Sequence, residues 1–290
     1  MNNFLHAYSM AKFIQICIFV SISHFTRVDA ALTYVNRGCT TDNGNYTENS
    51  TYQHNLNLLF SNLSSQASRL KFHNMTFGDV PNRVHGLFQC RGDLSLGVCR
   101  GCVEDATRKI VQECPLNGEA IVWYYECMLR YANRSISSMF EWGPSCSQRS
   151  LVKVINYGEF APTLSNTMND LINGPTVKLH NFATKEANMS SIDILYCLAQ
   201  CTPDLDGYGC NSCLETAFAE LRSCCNASVW AKVFLPSCQL RYDMNPFYND
   251  SKQIVHSTPR TATEPDAVGA SFMGLNMPSW REHYTFIVDG

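Results

Sequence analysis

Residues 90–102, CRGDLSLGVCRGC, hold three cysteines spaced C-x8-C-x2-C, and residues 201–213, CTPDLDGYGCNSC, hold three more at the same spacing. Adding 111 carries Leu87, Gln89 and Cys90 onto Leu198, Gln200 and Cys201, and Asp93, Cys99 and Cys102 onto Asp204, Cys210 and Cys213. The same offset runs on without a gap, taking Ala106, Cys114, Val122, Cys127, Arg130 and Tyr131 to Ala217, Cys225, Val233, Cys238, Arg241 and Tyr242. Both copies therefore read C-x8-C-x2-C-x11-C-x12-C. A period above 100 residues predicts two tandem domains rather than a solenoid, assigned to 32–136 and 142–249. One further cysteine lies far upstream in each copy, Cys39 in the first and Cys146 in the second.

Compartment decides what such cysteines are for, because thiols stay reduced in the cytosol and pair outside it. Residues 1–30 have the pattern of a secretory signal peptide. Lys12 precedes the apolar run FIQICIFVSI, and VDA at 28–30 offers small residues before a cut after Ala30. Removing that segment takes Cys17 away and reduces the 15 cysteines of the chain to 14, an even number that suits pairing. Asn-x-Ser/Thr sequons at Asn45, Asn49, Asn62, Asn74, Asn133, Asn188, Asn226 and Asn249 predict a glycoprotein. No later apolar stretch has the length of a transmembrane helix, so the expected product has no membrane anchor and is released. A net charge of -3 gives no electrostatic reason to expect nucleic acid as a partner. Residues 250–290, rich in Ser, Thr, Pro and Ala at their start, read as a flexible tail.

Within each copy the segment after the second cysteine has helical period. Cys99, Cys102, Val103, Ala106, Ile110 and Cys114 share one face, as do Cys210, Cys213, Leu214, Ala217, Leu221 and Cys225. An earlier helix is predicted over 51–68, where Leu56, Leu59, Phe60 and Leu63 recur. EAIVWYYECMLRYA, 119–132, alternates as a strand does. The fold class expected is α+β, two helices against an antiparallel sheet in each domain.

Three chemistries use closely spaced cysteines. Structural zinc needs four ligands, commonly two close pairs, and the C-x2-C here lacks a second pair at usable distance. A reactive dithiol at a helix start would not need four further cysteines at fixed positions around it. A disulfide framework of three bridges per domain remains, each worth about 2–4 kcal/mol. Spacing alone leaves 15 pairings open for six cysteines.

The contexts LFQCRGDLS, CRGCV, LAQCTPDL, CNSCL, EAIVWYYECMLRYANRS and LPSCQLRYDMNPFY resemble plant cysteine-rich repeat secretory proteins. They equally resemble the extracellular part of cysteine-rich receptor-like kinases, both built from tandem ginkbilobin-homologous, or stress-antifungal, domains. The resemblance covers about residues 32–249. It implies a five-stranded antiparallel sheet under two helices, and the bridges Cys39–Cys114, Cys90–Cys99 and Cys102–Cys127. For the second copy it implies Cys146–Cys225, Cys201–Cys210 and Cys213–Cys238. Cys197, which stands where the first copy has Gly86, and Cys224 belong to no repeated set, which leaves a seventh bridge between them or two free or separately modified thiols.

The function implied is recognition without catalysis in the plant apoplast, related to stress or defence, with no cofactor and no metal. In the family's lectin, mannose is held by an Asn after the first cysteine, an Arg six residues before the last and a Glu five residues after it. The corresponding positions are Thr40, Ile121 and Ala132 in the first copy, which match none, and Ser147, Lys232 and Asp243 in the second. That second set keeps a cation and a carboxylate, but Lys lacks the planar fork of Arg. Neither a Gly-x-Ser-x-Gly elbow nor a His-Glu-x-x-His pair occurs. Asp93 and Asp204 read as turn or helix-cap residues, and Arg130 and Arg241 as partners of acids within the fold. Ligands expected are a carbohydrate or an extracellular protein; direct antifungal action, or a shortened receptor-like kinase ectodomain, is the alternative.

Overall fold

The computed structural model describes residues 32–190, 193–225, 227–248 and 285–287. The first copy runs β1 (Tyr34–Asn45), α1 (Thr51–Gln66), β2 (Phe72–Phe77), β3 (Val84–Cys90), α2 (Leu96–Glu113), β4 (Asn117–Tyr124) and β5 (Cys127–Ala132). Its strands form an antiparallel sheet in the order β1-β4-β5-β3-β2. Both helices pack on that sheet, α1 over β2 and β3 and α2 over β4 and β5. The second copy repeats the plan with β6 (Ser145–Arg149), α3 (Tyr157–Asn173), α4 (Pro175–His180), β7 (Phe182–Asn188), β8 (Ile194–Cys201), α5 (Gly207–Cys224), β9 (Trp230–Phe234) and β10 (Cys238–Asp243). Its order is β6-β9-β10-β8-β7, with β11 (Thr285–Ile287) added beside β6 in parallel. Two tandem α+β domains result, each with two long helices on an antiparallel sheet, the second carrying the extra short helix α4. The expected signal segment 1–30, residue 249, and 250–284 and 288–290 of the expected tail lie outside the described residues. The rest of that tail is strand β11.

The helices begin where local chemistry supplies a cap. Ser50 accepts from the Gln53 amide at 3.2 Å, Ser95 from Val98 at 3.3 Å and Asp206 from Gly209 at 2.7 Å. Capping therefore falls two residues beyond Asp93 and Asp204. The expected single strand 119–132 is a hairpin, with Trp123 opposite Met128 and a turn at Tyr125–Glu126. Every residue of β4 and β5 is buried, so neither strand has a solvent face and alternation cannot reveal the turn.

Sulfur fastens α2 to three of its five strands. Cys99 is bonded to Cys90 on β3, Cys102 to Cys127 on β5, and Cys114, at the helix end, to Cys39 on β1. In the second copy Cys210 is bonded to Cys201 and Cys213 to Cys238. The third anchor differs from the expected Cys146–Cys225, and from a seventh bridge Cys197–Cys224: Cys224 is bonded to Cys225, while Cys146 and Cys197 are buried thiols. Strand register supplies the reason. Cys39 stands opposite Ala120, and the counterpart Ala231 stands opposite Arg149, not Cys146. Cys146 lies three residues earlier, opposite Phe234, in the place that Asn36 takes opposite Trp123. Arg149 fills the anchor position and donates through Nη1 to the Cys224 carbonyl, so a hydrogen bond stands where the first copy has a covalent link.

Cys197 faces the interior between Lys185 and Tyr242. At the matching Gly86, a Cβ would meet Leu59 Cδ2 at 2.5 Å. The first copy thus lets α1 down onto β3 where the second fills the space with a thiol.

Candidate functional site

The two copies meet along a seam built by exchange of like parts. Gln89 Nε2 donates to the Cys201 carbonyl at 2.6 Å, and Gln200 Nε2 donates to the Cys90 carbonyl at 3.0 Å. These residues are equivalent under the 111-residue offset, and such reciprocity marks an isologous contact. Gly92 admits the Phe182 ring, for a Cβ there would stand 2.4 Å from Phe182 Cγ. Leu87, Ile121, Trp123 and Ile136 of the first copy close over Cys146 and Phe234 of the second. The link between copies is held as well: the Ser138 amide donates to Asp204 at 2.7 Å, and Ser237 Oγ to the Met139 carbonyl at 3.1 Å. Gln89→Ala or Gln200→Ala is expected to cost about 1–2 kcal/mol each, since a buried carbonyl loses its donor; urea titration measures it.

At one end of the seam the β4–β5 turn of the first copy lies against the second sheet. Tyr125 donates to Gln148 Oε1 at 3.0 Å, and its ring centroid is 3.0 Å from Lys232 Nζ. Trp230 flanks the same amine at 4.9 Å. Beside it Arg241 pairs with Asp243 at 2.7 Å and lies 3.8 Å over the Phe247 ring. Arg91 holds Asp93 through two bonds of 2.6 and 2.9 Å and reaches the Phe247 carbonyl at 3.2 Å. Burial pushes the Lys232 amine down to about 6, with Arg241 and Arg91 acting in the same direction and Asp243 and Glu126 against it. Burial also lowers Arg241, whose Nε has no hydrogen-bond partner among the described residues.

A second charged cluster lies within the first copy. Arg130, 1% exposed, bonds Glu119 at 2.7 Å and Glu141 at 2.5 Å, and Arg134 bonds the same two carboxylates. Arg130 and Arg241 thus pair with acids. Burial lifts the Glu141 carboxyl, but the bonds and charges of Arg134 and Arg130 hold it below its usual range.

The two sets of lectin-like positions do not form an open grip. Lys232 is 3% exposed beneath Tyr125, Asp243 is committed to Arg241, and Ser147 donates to Glu220. Ser147 is opposite Val233, so it and Lys232 point to opposite faces of the sheet. In the first copy Thr40 sits opposite Glu119, Ile121 joins the seam cluster and Ala132 is buried. Sequence reasoning passed over Tyr125, Arg91, Glu119 and Glu141. The seam glutamines did carry a signal, being identical at the repeat offset in an otherwise apolar strand.

Asn45, Asn49, Asn133 and Asn188 are exposed. Asn62 and Asn74 are half-buried, their amides donating to the Leu58 carbonyl and Ser137 Oγ. Asn226 and Asn249 lie outside the described residues. Among the described residues no His/Cys/Asp/Glu group is placed to hold a metal ion, and no helix is long and apolar enough to cross a membrane.

Two disulfide-stapled α+β repeats joined through a reciprocal seam define a tandem cysteine-rich repeat protein. A family model described as salt stress response/antifungal matches residues 38–134 and 145–245, and the chain belongs to that family. It is 35% identical over 240 residues to cysteine-rich receptor-like protein kinase 25 of Arabidopsis thaliana, an alignment covering 81% of this chain and 35% of the kinase. It is 36% identical over 219 residues to cysteine-rich repeat secretory protein 1 of Arabidopsis thaliana, covering 74% of this chain and 64% of that protein. The chain thus spans about a third of the kinase's length. In structure it is similar to the tandem DUF26 ectodomain of the Arabidopsis thaliana cysteine-rich receptor-like protein PDLP8, with a TM-score of 0.66 at 24% identity over 74% of this chain and 100% of that one.

Proposed function

We propose that this chain is a secreted, non-enzymatic recognition protein of the plant apoplast, with a stress or defence role, and that its ligand is a protein ectodomain rather than a sugar. Its relatives include secretory proteins and receptor-like kinases. The observation that carries the choice of ligand is the loop after β6. Leu151, Val152 and Ile155 are 67, 64 and 105% exposed, followed by Tyr157 at 43%. Clustered exposed apolar side chains are what protein-binding surfaces present. The matching connection of the first copy, YTENS at 46–50, is polar. A mannose grip at Ser147, Lys232 and Asp243 has no comparable support, given the burial of Lys232 under Tyr125. Affinity capture from apoplastic fluid should recover a protein partner that Ile155→Asp loses by on the order of tenfold or more. A glycan array positive for mannosides, with capture indifferent to Ile155→Asp, would favour the lectin-like antifungal alternative.

A further inference from the structure

Three cations gather at this end of the seam, two of them half-buried guanidiniums and the third the buried amine of Lys232. Each guanidinium has its own carboxylate, Arg91 with Asp93 and Arg241 with Asp243. Lys232 on β9 is the additional one. The groups facing it are Arg241 and Asp243 from β10, Gln148 and the Cys146 thiol from β6, Tyr125 and Glu126 from the β4–β5 turn, and Arg91 from the turn before α2. Glu126 is engaged elsewhere as well, accepting from the Thr33 amide at 2.9 Å. A neutral Lys232 leaves the two arginine–aspartate pairs beside an aromatic lid, whereas a protonated one adds a third cation on a side chain that is only 3% exposed. The ring faces of Tyr125 and Trp230 attract a cation and so work in the other direction, but burial beside two guanidiniums opposes the charge more strongly.

We propose that the seam is a proton-operated joint, in which protonation of Lys232 lets the β4–β5 turn of the first copy part from the second sheet while each disulfide-stapled domain stays folded. The sign follows from linkage. With the seam closed, burial pushes the amine down to about 6; with the seam open and the amine in water, its ordinary value is about 10.4. Between these values the open form binds more protons, so closure weakens as pH falls and changes no further once the closed form is protonated too. This inference is independent of which ligand the exposed loop takes.

Two buried thiols make the joint readable. Cys146 lies in the seam cluster, 3.5 Å from Asn36 Nδ2 of the first copy, while Cys197 lies in the core of the second domain. Opening of the seam exposes the first alone; unfolding of the domain exposes both. The full chain is pulsed with N-ethylmaleimide from pH 8 to pH 5.5, each rate being normalised to free cysteine at that pH, and labelling is located by mass mapping. The Cys146 to Cys197 labelling ratio is expected to rise on the order of tenfold or more on acidification, and Lys232→Met, which keeps the packing on Tyr125, is expected to reduce that to less than about twofold. A flat wild-type ratio, two thiols exposed in parallel, no labelling of Cys146 at any pH, or an unchanged slope in Lys232→Met would each overturn the proposal.

Discussion

Replacing Cys39 and Cys114 together by serine is expected to destabilise the first domain by about 4.5 kcal/mol, the largest loss for any one bridge in that copy. Its closed loop has a sequence separation of 75, against 9 and 25 for Cys90–Cys99 and Cys102–Cys127. Chain-entropy reasoning scales stabilisation with the logarithm of loop length, so the two shorter bridges should cost about 2.5 and 3.5 kcal/mol. The bridge also has a mechanical role, as the tie between β1, at the sheet edge, and the end of α2. In the second domain the counterpart is the hydrogen bond from Arg149 to the Cys224 carbonyl. Arg149→Ala should therefore cost only about 1–3 kcal/mol. Denaturant titration of each variant, read by limited proteolysis of the separate domains, measures the contrast; equal losses would show that the two anchors are not counterparts.

Arg130→Met is expected to cost about 3 kcal/mol. The substitution keeps an unbranched apolar stem but takes the Arg130 bonds away from Glu119, 3% exposed, and from Glu141. Breaking a buried ion cluster from one side strands charge in a medium that solvates it poorly. The pH dependence gives the sign. Glu141 is held below its usual range in the intact cluster, so the stability it adds is present above the unfolded-state pKa and disappears as pH falls through the lower folded value. The gap between wild type and Arg130→Met should narrow as the Glu141 carboxyl protonates. A gap that stays constant into acid would mean that the loss comes from packing, not charge.

The repeat, the buried helix faces and the two-domain α+β plan were legible because they rest on local signals. A fixed cysteine spacing, a helical period and an unbroken 111-residue offset need no knowledge of the fold. The turn at Tyr125–Glu126 was hidden because complete burial of β4 and β5 removes the polar alternation that marks a strand's two faces. Helix α3 lay in the long spacer after Cys146, where no periodic signal had been recognised. The position of Cys146 was misjudged for a different reason: counting cysteines equated it with Cys39, while strand register equates Cys39 with Arg149. Register depends on which residues face each other across the sheet, and no distance along the chain encodes that when the spacers differ in length. The seam was least legible of all, because Tyr125 and Lys232 are 107 positions apart in sequence and nothing local to either announces the other.

Sulfur connectivity tests the account most directly. Mass mapping of the native protein, blocked with N-ethylmaleimide and digested without reduction, should find Cys39–Cys114, Cys90–Cys99, Cys102–Cys127, Cys201–Cys210, Cys213–Cys238 and an internal Cys224–Cys225 ring, leaving Cys146 and Cys197 alkylated once denatured. A peptide joining Cys146 to Cys225, or Cys197 to Cys224, would contradict it.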